Sequence, residues 1–563
     1  MFSKKNVLIC ILLFISIQLA ASESQLLNII ETELENSVSE LKYSDKSELY
    51  YLSYGITGYH RISLSYELGT LSRENDYRER ILDIDLRVGD YHRDNTHELR
   101  EKYGGSSYYR GIGRVDIPIN DDKEAIKDAI WLATDEAYKD AIDKYQKVLR
   151  NTKVKVEADD TSSDFSKIQP SIHLEEPVDV ELDKEKWHGI LQDLSSKMKE
   201  NPDVYSGNVN LRLTSKNSYF VNSEGTKIQQ SNKFLTLSIY MNTIAEDGME
   251  LYRSKNFSSG RLDDLPSPEA LGDTISRLMT ELTELRNAEM VEPYSGPAIL
   301  MSRASGVFFH EIFGHRIEGH RQKSVNDGQT FSDKVGESIL PEFLSIYDDP
   351  TIDRFNGEGL RGYFKYDDEG TKARRVDVVK NGTLNEFLMS RSPIENFPES
   401  NGHARRQPGN RAVSRQGNLF IHSDKEMSYE NLRQKLKDEI KEQDKPFGLL
   451  FADISGGFTM TGRYGPQSFK VQPLMVYKVY ADDRPDELVR GVDIVGTPLT
   501  SFSKIIATAD DYGIFNGSCG AESGMIPVSA ISPSILVSQI EVEKKMKGQD
   551  RPPILSPPAK GVN

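Results

Sequence analysis

Two stretches of strand-like alternation, parted by a long run of helical spacing, place the strongest limit on how this chain folds. From Leu49 to about Gly89, runs such as Ile62-Ser63-Leu64-Ser65-Tyr66 and Ile81-Leu82-Asp83-Ile84-Asp85-Leu86 carry the period-two pattern of an antiparallel sheet. The pattern resumes at Asn208–Leu213, Tyr219–Val221 and Leu235–Tyr240. Between them, from about Asp122 to Arg150, Ile126, Ile130, Ala133, Ala137, Ala141, Tyr145 and Val148 recur every three or four residues, which makes one buried helical stripe. Ser24–Leu41 and Pro268–Ala288 also have helical spacing. The expectation is a multi-domain α+β fold.

At 563 residues the chain exceeds one typical hydrophobic core. The expected division is a leader at 1–22, an N-terminal α+β domain at 23–155, a middle domain with its linker at 156–290, a β-rich C-terminal domain at 291–546 and a disordered tail at 547–563. The linker reading rests on Val156–Asp183, rich in Asp, Glu, Ser and Pro and weak in periodicity. The C-terminal domain carries a helix at Ser428–Gln443, strands around Leu474–Tyr480 and Leu488–Val495, and a final strand-like run at Ile535–Val542. The tail holds Pro552, Pro553, Pro557 and Pro558.

Charge narrows the function classes. With 70 Lys and Arg against 87 Asp and Glu, the formal net charge is -17. No Lys/Arg-rich block stands out, so no nucleic-acid partner is expected. At the N-terminus, Lys4 and Lys5 precede an apolar stretch from Val7 to about Leu19, followed by Ala20, Ala21 and Ser22. That is the form of a secretory signal peptide, and the stretch is short for a membrane span. The mature protein is expected to be exported, periplasmic or secreted, with no stable membrane span after cleavage. Only Cys10 and Cys519 are present, and Cys10 leaves with the leader. A lone mature cysteine forms no intramolecular disulfide, so Cys519 is a buried thiol, a nucleophile, an intermolecular crosslinker or a metal ligand.

Chemistry concentrates at Val307-Phe308-Phe309-His310-Glu311-Ile312-Phe313-Gly314-His315-Arg316-Ile317-Glu318-Gly319-His320, which holds three of the chain's ten histidines. Neutral imidazoles bind zinc, and a neighbouring carboxylate can deprotonate a water on the metal. His310 and His315 are five apart, roughly 140° around an ideal α-helix. They reach one ion only where the helix is widened or broken, as in a π-type bulge, and Gly314 is placed to tolerate that. An irregular helix is therefore predicted. His320 is open between a ligand, a supporting residue and a solvated side chain. Two histidines leave a catalytic site one ligand short, and the candidate third is Cys519 in Asn516-Gly517-Ser518-Cys519-Gly520, a glycine-flanked segment with the look of a turn.

These blocks resemble the TldD/PmbA family of metallopeptidases, in its TldD-like, metal-binding branch. The resemblance is carried by His310-Glu311-Ile312-Phe313-Gly314-His315 with Glu318-Gly319, and by Asp367-Asp368-Glu369-Gly370-Thr371 ahead of Leu384-Asn385-Glu386-Phe387-Leu388 and Gly402-His403-Ala404-Arg405-Arg406. It is completed by Gly517-Ser518-Cys519-Gly520 running into Ile526-Pro527-Val528, and matches more loosely at Asp85–Tyr91 and Val221–Gly225. It implies zinc on His310, His315 and Cys519, Glu311 as general base, a homodimer, and hydrolysis of unfolded or extended polypeptide. His320 stands where the family commonly has an acidic residue. Arg405 and Arg406 are candidate substrate-binding residues, because guanidinium forks suit carboxylates. Two rival readings are a non-catalytic binding protein with a closed structural metal site, completed by His320, and a Cys519 nucleophile.

Overall fold

The structure is a computed structural model that describes residues 23–41, 48–98, 113–152, 161–324, 327–463 and 468–545. The expected leader and tail lie outside the described residues.

Helices α1 (Gln25–Leu41), α2 (Lys123–Thr152), α3 (Lys184–Ser196) and α4 (Pro268–Asn287) accompany five long strands: β1 (Leu49–Glu67), β2 (Thr70–Val88), β3 (Ser206–Asn222), β4 (Lys227–Ile244) and β5 (Glu250–Ser259). The short runs read at 49–89 are two 19-residue strands joined by a tight turn at Leu68-Gly69. β1 pairs antiparallel with both β2 and β3. One seven-stranded sheet therefore crosses the boundary expected near residue 155. The segment read as a linker contributes a short strand to it, Ile172–Leu174, which pairs with β4.

The period-two rule gives this sheet two unlike faces. Along β1, Leu52, Tyr54 and Ile56 pack with α1 and α2, while Ile62, Leu64 and Tyr66 pack with α3 and α4. These even-numbered positions share one face. The odd-numbered Tyr59 and Arg61, with Arg212, Thr214 and Lys216 of β3, line a cavity on the other face. Polar side chains there keep that face free of helices.

The C-terminal half contains β6 (Tyr294–Leu300), α5 (Ser302–Ile312), β7 (Leu344–Asp348), β8 (Val376–Lys380), β9 (Asn418–Ser423), α6 (Tyr429–Glu442), β10 (Gly448–Thr459), β11 (Phe469–Val479), β12 (Val492–Gly496), β13 (Ile505–Ala509), β14 (Gly513–Ala521), β15 (Gly524–Ser532) and β16 (Ile535–Lys544). Strands β16, β6, β10, β11 and β12 pair in a closed circuit, because β12 returns to β16. Closure satisfies both edges of each of these strands. Ala298 and Leu300 join the core that holds α5, whereas Ile299 packs outward with Leu432, Leu436 and Ile440 of α6. A second sheet orders β8, β7, β9, β15 and β14, which leaves β14 at its edge.

Candidate metal centre

Helix α5 is fixed between these two sheets. Its first turn is held by Ser302 N–H donating to Ser534 Oγ (2.9 Å) and by the Ser305–Ser532 hydroxyl pair (2.7 Å). Gly306 lets it approach β15 closely, since a Cβ there would sit 3.1 Å from the Ala530 carbonyl oxygen. His310 lies in the last turn. The helix ends at Ile312 and the chain tightens into a 3-10 turn, Gly314–Arg316, that carries His315.

The expected irregularity is present, made by breaking the helix rather than by a π-bulge. A Cβ on Gly314 would lie 2.0 Å from buried Gln416 Oε1, so only glycine lets the chain turn there. Arg316 secures the break by donating to the Ile312 carbonyl (3.0 Å), Thr459 Oγ1 (2.6 Å) and the Met460 carbonyl (3.2 Å).

Cys519 comes from β14. The segment expected as a turn is a strand, with Cys519 opposite Ile526 and the turn at Glu522-Ser523. Glycines at 517 and 520 fit the strand because a Cβ at either would meet the side chain of Phe515 or Met525, at 2.4 and 2.7 Å. Cys519, His310 and His315 are all buried, and their donor atoms lie within 4.8 Å of one another. Cys519 Sγ is 3.3 Å from His315 Nε2. His310 Nδ1 is buried without a hydrogen-bond partner among the described residues.

Burial alone would favour neutral imidazoles, but the Cys519 thiolate outweighs it, raising His310 and taking His315 to about 10. Burial would likewise push the thiol up, and the two imidazoles instead hold it well below its ordinary value. The buried thiolate thus draws protons toward the imidazoles beside it. A divalent cation would compensate the same donors once those protons leave. The thiolate–imidazole set and the orphaned ring nitrogen fit zinc.

Of the residues behind the three donors, Glu318 was read from sequence only as part of the motif, without a role, and Arg415 was not singled out. His315 Nδ1 faces Glu318 Oε2 at 3.3 Å, the carboxylate contact that orients a metal-binding imidazole. Glu318 is fully buried between Arg321 (2.8 Å) and Arg415 (3.2 Å). Arg415 also donates to the Cys519 carbonyl (3.0 Å) and to Sγ (3.1 Å), so one guanidinium ties two limbs of the site together. Burial would raise the Glu318 carboxyl, but His315 and the two arginines hold it at about 2. Its spacing three residues after His315 was readable, whereas Arg415 leaves no local signal.

His320 is turned away from the three donors. Its Nε2 contacts Glu522, whose other oxygen accepts from Arg321 at 2.8 Å. The cluster Glu318, His320 and Glu522 is therefore an ion-pair network already compensated by arginine, and His320 does not close the metal site. Glu311 lines a cavity of about 530 Å³ with His310, His315 and Cys519. Its carboxylate makes no hydrogen bond or ion pair with another described residue, and its Cγ packs beside Gly457, where a Cβ would come within 3.0 Å.

Arg405 and Arg406 lie on the wall of a larger, neighbouring cavity. Arg405 donates to the Gln416 carbonyl (2.6 Å) and covers the Phe364 ring, and burial lowers it to about 10. Arg406 is 3.7 Å from Asp83. Both are engaged by the protein, which weakens the expectation that they hold substrate.

Known proteins resemble this chain in sequence and in fold. Residues 293–544 match the family model described as the PmbA/TldA metallopeptidase C-terminal domain. A metalloprotease of Methanocaldococcus jannaschii is 25% identical over 357 residues, 62% of this chain and 72% of that protein. The zinc metalloprotease TldD homolog of Saccharolobus solfataricus is 26% identical over 254 residues, 44% of this chain and 51% of the relative. TldE from Thermococcus kodakarensis shares the fold over 92% of this chain and 100% of its own, with TM-score 0.57 at 15% identity. A Bacteroides thetaiotaomicron protein named as a candidate modulator of DNA gyrase shares it over 92% and 98%, with TM-score 0.60 at 12% identity. Residues 293–544 are thus similar to the C-terminal domain of the PmbA/TldA metallopeptidases.

Proposed function

We propose that this chain is a zinc-dependent peptidase of the TldD-like branch that cleaves unfolded or extended polypeptide, with His310, His315 and Cys519 as ligands and Glu311 as general base. The observation that carries it is the convergence of two imidazoles and a thiolate within 4.8 Å in a cavity that also holds Glu311. Zinc, when bound, supplies a Lewis acid that polarises a carbonyl and lowers the pKa of water. Glu311, with no polar partner among the described residues, accepts the proton of the attacking water and returns it to the leaving amine. Glu318 and Arg415 hold His315 and Cys519 in place throughout. Edge strand β14 runs into the cavity from Phe515 to Ala521, and main-chain pairing with it would hold an extended peptide with little demand on sequence.

The test is cleavage of an unfolded polypeptide by the purified chain with and without chelator, beside Glu311→Gln. Chelator-sensitive cleavage lost in the variant supports the assignment. Turnover indifferent to chelator but abolished by thiol alkylation would give Cys519 a nucleophile's role instead. Export and homodimerisation belong to the same reading. N-terminal sequencing of the mature protein should start near residue 23, and light scattering should give twice the chain mass.

A further inference from the structure

The larger cavity, about 710 Å³, lies against the helix-free face of the long sheet. It meets the metal cavity at Arg361 and Ser518, which line both. Ten of its lining side chains are cationic and four are carboxylates, in a chain whose formal net charge is -17. One of the four, Asp367, has its carboxyl pushed well above the ordinary range by burial and by Glu369 beside it.

Several of the cations are neutralised. Arg114 pairs with Glu79 (2.6 Å), Arg354 with Asp264 (2.9 Å), and Lys365 with Glu175. Arg361 is different, because no described carboxylate pairs with it and its Nε is buried without a hydrogen-bond partner. Its charged neighbour is another cation, Arg212 of β3, which together with burial holds Arg361 below the ordinary guanidinium value. The backbone at this point is nevertheless fixed. Arg361 N–H donates to Ser529 Oγ (2.8 Å) and Asn516 Oδ1 (3.2 Å), both on the hairpin that carries Cys519. Gly362 is seated so closely on Gly417 that a Cβ would fall 2.0 Å from its carbonyl oxygen.

A half-buried cation lacking a carboxylate partner among the described residues, on a fixed backbone where the two cavities meet, is a place for a ligand's negative charge. The planar guanidinium fork matches a carboxylate in two-point geometry. We propose that Arg361, backed by Arg212, receives a carboxylate of the peptide substrate in the larger cavity, so that this peptidase selects anionic peptides. The carboxylate comes from an acidic side chain or from the peptide's own C-terminus. The cleavage half of this inference rests on the peptidase reading, while the binding half does not.

Binding is measured by fluorescence polarisation on the full chain carrying Glu311→Gln, so that affinity is read without turnover. The probes are a short Glu-containing peptide with a free C-terminus, its C-terminal amide, its Gln-for-Glu analogue, and the analogue with both changes. The anionic peptide should bind at least tenfold more tightly than the fully neutral one, about 1.4 kcal/mol, and lose that margin in high salt. Amidation or Glu-to-Gln exchange, whichever removes the margin, identifies the source of the carboxylate. Adding Arg361→Gln should erase the margin and leave the neutral peptide within twofold, and Arg361→Lys should restore part of it. Arg212→Gln, at an exposed position that folding tolerates, should reduce it by about threefold. Equal affinity for charged and neutral peptides, or an Arg361→Gln loss shared equally by both, overturns the proposal. Anion-selective binding without any cleavage by the unsubstituted chain would keep the carboxylate site and remove the peptidase. Cleavage without anion preference would do the reverse.

Discussion

Arg415 touches Cys519 and Arg361 lines the metal cavity, and the fold treats the two differently. Arg415 is fully buried, paired with Glu318, and donates to Cys519 and to Ser523 Oγ at 2.7 Å. Arg361 has a fixed backbone and a side chain without an acidic partner among the described residues. The first arrangement holds a geometry, because Glu318 compensates the guanidinium that ties down Cys519. The second leaves a charge uncompensated where a cavity meets the metal pocket. Arg415, completed from within, serves the protein's own order, and Arg361, left incomplete, is open to a ligand's charge.

The largest expected effect separates chemistry from scaffold. Glu311→Gln should lower turnover by about 10²–10⁴-fold while metal analysis still finds one zinc per chain. Loss of metal in that variant would move Glu311 from base to ligand. Next, Arg415→Met leaves Glu318 buried with one partner fewer and should cost about 3–5 kcal/mol in denaturant unfolding. It should also weaken zinc binding by about 10–100-fold, because Glu318 orients His315.

The pH dependence is of similar or smaller size. Glu318 has its folded-state pKa depressed to about 2. Its contribution, on the order of 3 kcal/mol, is therefore present above the ordinary carboxylate range and is lost as pH falls through that range toward 2. Unfolding curves across that window should steepen in the native chain and flatten in Glu318→Gln. The smallest effect sharpens the contrast with Arg415. Arg361→Gln should leave unfolding stability within about 1 kcal/mol or raise it, because a half-buried charge without a carboxylate partner is removed. A loss as large as that of Arg415→Met would show that Arg361 has a structural partner after all.

Much of this protein was written locally. Helices α1, α2, α4 and α6 fall within a few residues of their periodic runs, because amphipathic spacing is a property of neighbouring residues. The histidine pair, the glutamate between them and the need for a broken helix followed from counting five residues in place of four. The uniqueness of Cys519 marked it without fixing its role.

Tertiary structure decided the rest. Two segments read apart joined one sheet because β1 found β3 at sequence separations from 141 (Glu67 with Asn208) to 169 (Ser53 with Asn222), a register set only by packing. Gly314 breaks its helix because Gln416 occupies the space a side chain would need. Arg415 reaches Cys519 from 104 residues away, and His320 turned to Glu522 from 202 residues away. Periodicity and motif spacing are local quantities that a sequence carries openly. Which buried charge meets a partner depends on distances between remote segments, and those exist only once the chain has folded.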